Sequence, residues 1–166
     1  IRPIRHKIIS IIKQRRYGAI LDVCCGTGEQ LKMLRMHGVE AKGIDLSEAM
    51  LAVANQGEHK ADCALQDATQ TGYGDRTFDL VTTTFALHEK GHGTARRIVE
   101  EMVRLTAEGG DILIVDYELS ERTSLLSKAM IYLIERFAGG EHYKNFKEYL
   151  QRGGLSALLY DTPLTE

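Results

Sequence analysis

The segment from Leu21 to Gly28 has the residue types of a nucleotide-binding turn. It reads as an apolar strand that carries the acid Asp22 and then turns through Gly26 and Gly28 into a helix. In a doubly wound sheet, the first strand-to-helix turn is where a nucleotide-like ligand sits. Glycine suits such a turn because a side chain would hold the ligand off the backbone, and because positive φ is cheap only for glycine. The two glycines therefore predict a ligand bound close to the main chain.

Two classes of ligand compete for this turn. A dinucleotide fold uses G-x-G-x-x-G to bring an anionic pyrophosphate onto the helix N-terminus, but here Leu31 stands where the third glycine should be. Asp22 and Glu29 place negative charge on either side of the turn. That charge repels a pyrophosphate and suits the ammonium and sulfonium groups of S-adenosylmethionine. The residues favour a cationic ligand.

Two further acids follow the next predicted strands. Asp45 ends the second strand and can accept hydrogen bonds from both ribose hydroxyls, a role that NAD and S-adenosylmethionine folds share. Ser47, followed by Glu48, has the pattern of a helix N-cap. Asp67 follows the third strand, where it either accepts a hydrogen bond from an adenine amine or caps its own turn.

The three cysteines, Cys24, Cys25 and Cys63, show neither zinc-site spacing nor a secreted disulfide framework. We therefore predict no metal site and a location in the reducing cytoplasm. The adjacent pair invites a redox or nucleophilic interpretation. Small cysteines beside a strand end are more often packing residues, and we expect that role here.

Histidines near the predicted substrate entrance could act on an acceptor. His88 lies just after the fourth predicted strand, where it would serve as a general base or make a structural hydrogen bond. His142 and Tyr143 precede a helix, and they either contact the substrate or form a solvated helix start. The sequence leaves both pairs of alternatives open.

The elements that must position these residues alternate regularly along the chain. Short apolar runs and helical patterns in strict alternation predict βαβ units with a mostly parallel sheet. The predicted strands lie near 19–23, 39–44, 61–65, 78–83 and 112–115, and the helices between them near 29–37, 47–56 and 94–106. After Asp116 we predict only helices, near 121–137 and 145–152. We expect three layers, α/β/α, in a Rossmann-like doubly wound fold.

Length and charge fit one domain over residues 1–166. A chain of 166 residues with 43% hydrophobic content can bury one core, and a formal charge of -2 gives no field for gripping nucleic acid. Residues 1–17 form a basic helix with apolar Ile4, Ile8, Ile11 and Ile12, which we expect to pack on the domain rather than on a membrane or RNA. No apolar run approaches the length of a bilayer span and no signal-peptide pattern precedes the first strand. The chain begins at Ile1 and not at Met, so trimmed ends are expected.

The successive motifs resemble class I S-adenosylmethionine-dependent methyltransferases. The likeness rests on VCCGTG, GIDLS, QDA, FDLVTTTFALHE and GGDILIVDY, and it covers roughly Ala19 to Tyr117. It is nearest to the group that contains quinone-biosynthesis C-methyltransferases and other small-molecule methylases. That family ends in an antiparallel hairpin, and nothing after Gly154 clearly supplies both of its strands, so the end is either truncated or unusual.

The resemblance implies roles for the residues of the first two turns. Asp22, Cys24, Gly26 and Gly28 would cradle the methionine portion of S-adenosylmethionine, and Asp45 would bind its ribose. Cys24 departs from the pattern because the family usually has glycine there, which would narrow the turn slightly.

The remaining cofactor residues also come from the resemblance. Leu46 and Met50 would pack on adenine, and Asp67 and Ala68 would read its edge. Thr84 would close the pocket after the fourth strand. S-adenosylhomocysteine would then be the product.

These observations predict methyl transfer to the carbon, oxygen or sulfur of a small molecule. An N/D-P-P-Y/F loop for DNA amino-methylation is absent from Thr82–Phe85, and no Pro-Cys nucleophile exists, so no nucleic-acid partner is expected. Stable membrane insertion is not expected either, and the oligomeric state is open. The alternatives are a non-catalytic binder of S-adenosylmethionine or of a partner, and a nicotinamide-dependent oxidoreductase.

Overall fold

The structure, a computed structural model, describes residues 2–57, 59–119, 123–137, 139–160, 162 and 164. The chain forms two compact units. The first unit comprises Ile1–Thr84 and Glu101–Ile114, and the second comprises Phe85–Glu100 and Val115–Glu166. Organisation of the whole chain as a single domain stays a prediction.

A five-stranded sheet organises the first unit. Its order is β3-β2-β1-β4-β5, and β1 pairs in parallel with both β2 and β4, as β2 does with β3. Because the order reverses at β1, the crevice for a ligand in such a sheet lies at the carboxyl end of this strand. The strands are β1 Ile20–Val23, β2 Lys42–Asp45, β3 Asp62–Leu65, β4 Phe78–Thr84 and β5 Thr106–Val115. The predicted doubly wound, three-layer α/β fold is confirmed.

Burial explains why these segments take their places. Every residue of β1 is buried, as expected for a central parallel strand covered on both faces. By contrast β3, at the sheet edge, is largely exposed. The helices that join the strands are α2 Glu29–Met36, α3 Glu48–Ala54 and α4 His92–Leu105.

The N-terminal helix packs on the first unit as predicted, with a small correction to its apolar face. Helix α1, Arg2–Arg15, buries Ile8, Ile9 and Ile12. Ile4, which the sequence placed on the buried face, is 40% exposed. Ile9 is buried instead, so the buried face of the helix consists of positions 8, 9 and 12. At the end of the helix, Arg15 pairs with Asp111 at 3.2 Å.

Strand β5 begins six residues earlier than predicted, at Thr106 rather than Ile112. Gly109 and Gly110 lie between the observed and the predicted start of the strand. A Cβ on Gly110 would lie only 2.8 Å from the carbonyl oxygen of Asp79, so this glycine allows a close approach to the neighbouring backbone. The glycine pair therefore belongs to the strand.

The loop after β3 is anchored to α4 by an ionic cluster. The backbone nitrogen and hydroxyl of Thr71 each donate to Glu101 Oε1 at 2.7 Å, and Arg104 donates to both oxygens of Glu101. The Arg104 hydrogen bonds lower the pKa of Glu101 to about 2. This cluster fixes the segment that contains Asp67.

The described part of the second unit is helical after Val115. The helices after Val115 are α5 Leu125–Phe137, α6 Gly140–Gln151 and α7 Gly154–Leu159, and the same unit also contains a 3-10 turn at Leu87–Glu89. The predicted start of α5 at residues 121 and 122 lies outside the described residues. Helix α6 begins five residues before the predicted Asn145, and α7 was not predicted. The sequence pairs Gly139-Gly140 and Gly153-Gly154 predict a break before the Asn145 helix and its end, whereas in the structure Gly140 and Gly154 are the first residues of α6 and α7. No helix in the described residues is long and apolar enough to cross a membrane.

Candidate active site

In the turn after β1, every second residue has a left-handed backbone conformation. Cys24, Gly26 and Gly28 have φ of 57°, 56° and 67°. The Cys25 amide donates to the Ile44 carbonyl at 2.9 Å, and the Gly28 amide donates to the Cys25 carbonyl at 3.0 Å. The turn is therefore tied both to β2 and to itself.

Cys24 is the strained member of this turn. A residue with a Cβ rarely adopts a φ of 57°, and holding it there costs roughly 1 to 2 kcal/mol. This explains physically why glycine is the usual residue of the resembling family at this position. The departure predicted to narrow the turn is, in the structure, a matter of backbone strain.

Gly26 and Gly28 are required for different reasons. A Cβ on Gly26 would meet no atom within 4 Å, so this residue turns its backbone toward open space. A Cβ on Gly28 would lie 2.8 Å from the Ala61 Cβ and 3.0 Å from the Ala54 Cβ. Gly26 thus leaves room for a ligand, whereas Gly28 permits close packing of the turn on the protein.

We predict that alanine at these two positions separates ligand binding from stability. Gly28→Ala should lower the free energy of unfolding by about 2 kcal/mol, because overpacking against two alanines adds to the left-handed strain. Gly26→Ala should lower the free energy of unfolding by only about 1 kcal/mol, through backbone strain. It should weaken nucleotide binding more than Gly28→Ala does. Chemical denaturation and calorimetry on both variants check this. Equal loss of stability, or normal binding by Gly26→Ala, would contradict the assignment.

Leu31 and Gly43 explain the broken dinucleotide pattern. Leu31 is buried at 3% exposure, and a Cβ on Gly43 would lie 2.5 Å from its Cδ1. In dinucleotide folds, the third glycine lies on the helix and allows the helix to pack closely on the strand. Here Gly43, on β2, allows this close packing instead. The same Cβ would also meet the Sγ atoms of Cys25 and Cys63 at 2.8 and 2.9 Å.

Cys25 and Cys63 face one another over Gly43. Their Sγ atoms are 3.5 Å apart, with Cys25 as donor. The hydrogen bond to Cys63 raises the pKa of the Cys25 thiol above its ordinary value. The two half-buried thiols therefore pack against each other over Gly43, and a packing role for Cys24 and Cys25 stays a prediction.

Asp45 lies beside the Gly26 turn. Its Oδ2 accepts the Gly26 amide at 2.7 Å, and its Oδ1 accepts the Ser47 amide at 2.9 Å. Each carboxylate oxygen has a second lone pair for another donor. Ser47 is the N-cap of α3, as predicted, and its hydroxyl accepts the Met50 amide at 3.3 Å.

Asp22 is buried in the centre of the sheet. It is 3% exposed, pairs in register with Thr82, and accepts the Thr82 hydroxyl at 2.8 Å. Burial raises its pKa to about 6, although the Thr82 hydrogen bond and the charge of Arg5 act in the opposite direction. A carboxylate in this state would be stabilised by a nearby cation.

The other predicted cofactor residues surround the ends of β2, β3 and β4. Leu46 and Met50 are apolar yet 68% and 46% exposed, so they offer an uncovered apolar surface next to Asp45. Asp67 Oδ1 accepts the amide and hydroxyl of Thr69, both at 2.8 Å, which is the turn-capping alternative. Ala68 is buried, and Thr84 is half-buried at the end of β4.

Gln30 was not predicted as a site residue. It lies in the first turn of α2 at 2% exposure, and its Oε1 accepts Arg5 Nη1 at 3.4 Å. Its Nε2 is buried without a hydrogen-bond partner, which is costly unless a ligand supplies an acceptor. A buried glutamine is invisible to sequence pattern because nothing local distinguishes it from a solvated one.

In the second unit, His88 is fixed by Asp116. The His88 Nδ1 lies 2.5 Å from Asp116 Oδ1, and Nε2 lies 3.5 Å from Glu135 Oε2. Burial alone lowers the pKa of His88, but the hydrogen bond and charge of Asp116, together with Glu135 and Glu89, raise it above the ordinary value. The structural hydrogen bond considered for His88 is present.

Helix α6 brings His142 to the same cluster. His142 Nε2 lies 2.5 Å from Glu135 Oε2, and Nδ1 lies 4.0 Å from Glu89 Oε1. Tyr143 is half-buried, with Lys147 Nζ 5.8 Å from its ring centre. Asp116 was missed from sequence because His88 is 28 positions away in the chain, and Glu135 because only folding brings it beside both His88 and His142.

Comparison with known proteins decides the family. Residues 20–110 match the family described as methyltransferase domain, and this range is more than half of the chain. The chain belongs to the methyltransferase domain family. The predicted resemblance is therefore confirmed, and the matched range contains the first four of its five motifs.

Relatives of this methyltransferase domain extend over most of the chain. Demethylmenaquinone methyltransferase from Bacillus licheniformis is 30% identical over 155 residues, which cover 87% of this chain and 65% of the relative. Among solved structures, the S-adenosylmethionine-bound amino pentose methyltransferase CalS10 from Micromonospora echinaspora is 26% identical with a TM-score of 0.61, covering 72% and 52% of the two chains. The YcgJ protein of Bacillus subtilis, at 23% identity and a TM-score of 0.64, covers 84% and 60% and supports the fold alone.

The methyltransferase domain spans about two thirds of the length of these curated relatives. It spans about half of several of the solved structures. Family membership is thus established for the domain, whereas the activity of the whole protein is a matter for proposal.

Proposed function

We propose that this methyltransferase domain transfers a methyl group from S-adenosylmethionine to a small-molecule acceptor. The observation that carries the proposal is Gly26, whose backbone faces open space at the carboxyl end of β1 and donates to Asp45 at 2.7 Å. A turn of this kind admits a nucleoside ligand against the main chain. Family membership supports the same conclusion.

The residues around the turn fit the parts of S-adenosylmethionine. Asp45 would accept the ribose hydroxyls, and the exposed side chains of Leu46 and Met50 would be covered by adenine. Asp67 and Ala68 would border the adenine edge. Cys24 and Gly28 would shape the turn around the methionine portion, and Thr84 would close the pocket.

The charged ends of the ligand match two buried groups. The raised pKa of Asp22, about 6, leaves a carboxylate at neutral pH that a sulfonium or ammonium would stabilise. The unpartnered Nε2 of Gln30 would donate to the carboxylate of the methionine portion. These pairings also disfavour the anionic pyrophosphate of NAD.

S-adenosylmethionine supplies a methyl group on a sulfonium, which is already activated for in-line displacement. The protein then has to align the acceptor and exclude water, and few side chains are essential. Assistance by His88 as a general base stays a prediction. Both of its ring nitrogens are directed at carboxylates, so it would act only if Nε2 turned from Glu135 toward the acceptor.

We propose that the acceptor is a small molecule with an acidic carbon, oxygen or sulfur nucleophile. The name of the Bacillus licheniformis relative points to a demethylated menaquinone as the first acceptor to try. Phenols and thiols complete the panel. A cytoplasmic location remains a prediction.

Calorimetry with S-adenosylhomocysteine and with NAD tests the proposal. We expect saturable binding of S-adenosylhomocysteine, none of NAD, and methyl transfer from labelled S-adenosylmethionine to a member of the acceptor panel. Gly26→Val should abolish binding while the protein stays folded. Binding of NAD alone would indicate an oxidoreductase, and binding of S-adenosylhomocysteine without transfer to any acceptor would indicate a non-catalytic domain.

A further inference from the structure

The second unit contains a cluster of two imidazoles and three carboxylates. From the geometry of this cluster we infer that His88, Glu89 and His142 form a binding site for a divalent transition-metal ion of the zinc type. One ligand atom from each of the three residues lies within 4.8 Å of the other two. The inference does not rest on methyl transfer.

The tautomer of His88 suits a metal ligand. The Asp116 carboxylate accepts the backbone amides of Leu87, His88 and Tyr117 at 2.8, 3.2 and 2.7 Å, so three backbone donors fix its position. It also contacts His88 Nδ1 at 2.5 Å, so Nδ1 would be the donor to Asp116 and a metal would bind through Nε2. Metal-ligating histidines almost always donate their other nitrogen in this way.

His142 has the matching arrangement. Its Nε2 donates to Glu135 Oε2 at 2.5 Å, so its lone pair is on Nδ1, the nitrogen that lies 4.0 Å from Glu89 Oε1. Each imidazole thus has one close carboxylate that orients it, and a metal would bind through the other nitrogen; in His88 that nitrogen, Nε2, lies 3.5 Å from Glu135 Oε2. Two neutral imidazoles and one carboxylate are a ligand set that zinc and related metals use.

The supporting elements hold the three ligands together. The 3-10 turn Leu87–Glu89 carries two of them, and α6 carries the third. Asn145 Nδ2 donates to the Glu89 carbonyl at 2.9 Å and so ties this turn to α6. Ligands bound to zinc at 2.0 to 2.2 Å lie roughly 3.3 Å apart, so atoms that now lie up to 4.8 Å apart must approach by up to about 1.5 Å. Glu89, with a side chain 36% exposed, can make this movement.

Charge also favours a cation here. Asp116 and Glu135 are only 1% and 5% exposed, and Glu135 Oε2 lies 3.5 Å from His88 Nε2 as well as beside His142. Buried carboxylates need opposite charge, which a cation bound at this point would supply. A divalent ion would balance two of the three negative charges. Three protein ligands would leave a fourth position open to water or a ligand.

The proton-accepting role of His88 and the metal site compete for the same lone pair. A base must keep Nε2 free, whereas the metal occupies it. Sequence spacing predicted no metal site, because the histidines are far apart in the chain and only folding brings them together. A direct metal titration therefore tests the inference without reference to turnover.

The experiment uses the full chain, stripped with chelator and titrated with Zn²⁺ by calorimetry and with Co²⁺ by visible absorption. We expect one ion per chain and a Co²⁺ spectrum of low coordination number. His142→Ala and Glu89→Gln, at partly exposed positions, should each lower affinity by at least about 100-fold. The matched control His37→Ala removes an exposed histidine of the first unit and should bind normally.

Three outcomes would overturn the inference. They are the absence of saturable binding below about 1 mM metal, unchanged affinity in the His142→Ala/Glu89→Gln double variant, and an equal loss of affinity in His37→Ala. Circular dichroism of each metal-free variant is measured alongside. Loss of metal binding in a folded Glu89→Gln protein supports the site even if His142→Ala fails to fold.

Discussion

Replacement of Asp45 by alanine is expected to weaken binding of S-adenosylhomocysteine by roughly 30- to 800-fold. The loss corresponds to about 2 to 4 kcal/mol for a pair of charge-assisted hydrogen bonds to the ribose hydroxyls. Calorimetry on wild-type and variant protein measures it. Asp45 also accepts the Gly26 and Ser47 amides. Weaker binding by the variant would therefore result from a loosened turn as well as from the lost hydrogen bonds to the ribose.

A cycle in the ligand separates these two causes. Wild-type protein should bind the 2′,3′-dideoxy analogue of S-adenosylhomocysteine more weakly than S-adenosylhomocysteine itself. The Asp45→Ala variant should bind the two ligands with equal affinity. Ser47→Ala is the matched control. It removes the N-cap of α3 at a cost of about 1 kcal/mol in stability and keeps the carboxylate, so affinity should change little. If Asp45→Ala still discriminates between the two ligands, another residue binds the ribose.

The fold was predictable because its signals are local. Alternating apolar runs and helical patterns located all five strands, and Ser47 correctly marked the start of α3. Errors arose at glycines. Gly110 belongs to β5 because of the neighbouring Asp79 backbone, Gly140 begins α6 five residues before its predicted start, and Gly154 begins α7, which was not predicted.

The candidate site divides in the same way. Gly26 and Asp45 could be predicted as candidate site residues because the turn and strand end that carry them have a recognisable pattern. Gly28 could not be distinguished from Gly26 by sequence, since its packing partners Ala54 and Ala61 come from other elements. Asp116 and Glu135 were missed because a buried acid beside an imidazole is a product of tertiary structure.

Replacement of Asp22 by asparagine is expected to stabilise the protein near neutral pH by up to about 3 kcal/mol. The pKa of Asp22 is raised from 3.8 to about 6 in the folded protein, so the folded state binds its proton more tightly than the unfolded state does. Burial of the ionised group therefore lowers the free energy of unfolding above pH 6. This penalty disappears as pH falls below about 4, where both states are protonated.

The difference in unfolding free energy between Asp22→Asn and wild type, measured by denaturation from pH 4 to 8, should thus grow with pH and level off above 6. Thr82→Val is the matched comparison, because it removes the hydroxyl that lowers the pKa of Asp22. In this variant the pH range over which ionised Asp22 destabilises the protein should therefore extend to higher pH. A difference that does not vary with pH would contradict the buried-carboxylate explanation. The variant should also bind S-adenosylmethionine less tightly relative to S-adenosylhomocysteine, since only the former has a sulfonium charge to pair with the carboxylate. Greater stability with a reduced preference for the charged ligand is the exchange expected where a buried acid is kept for binding.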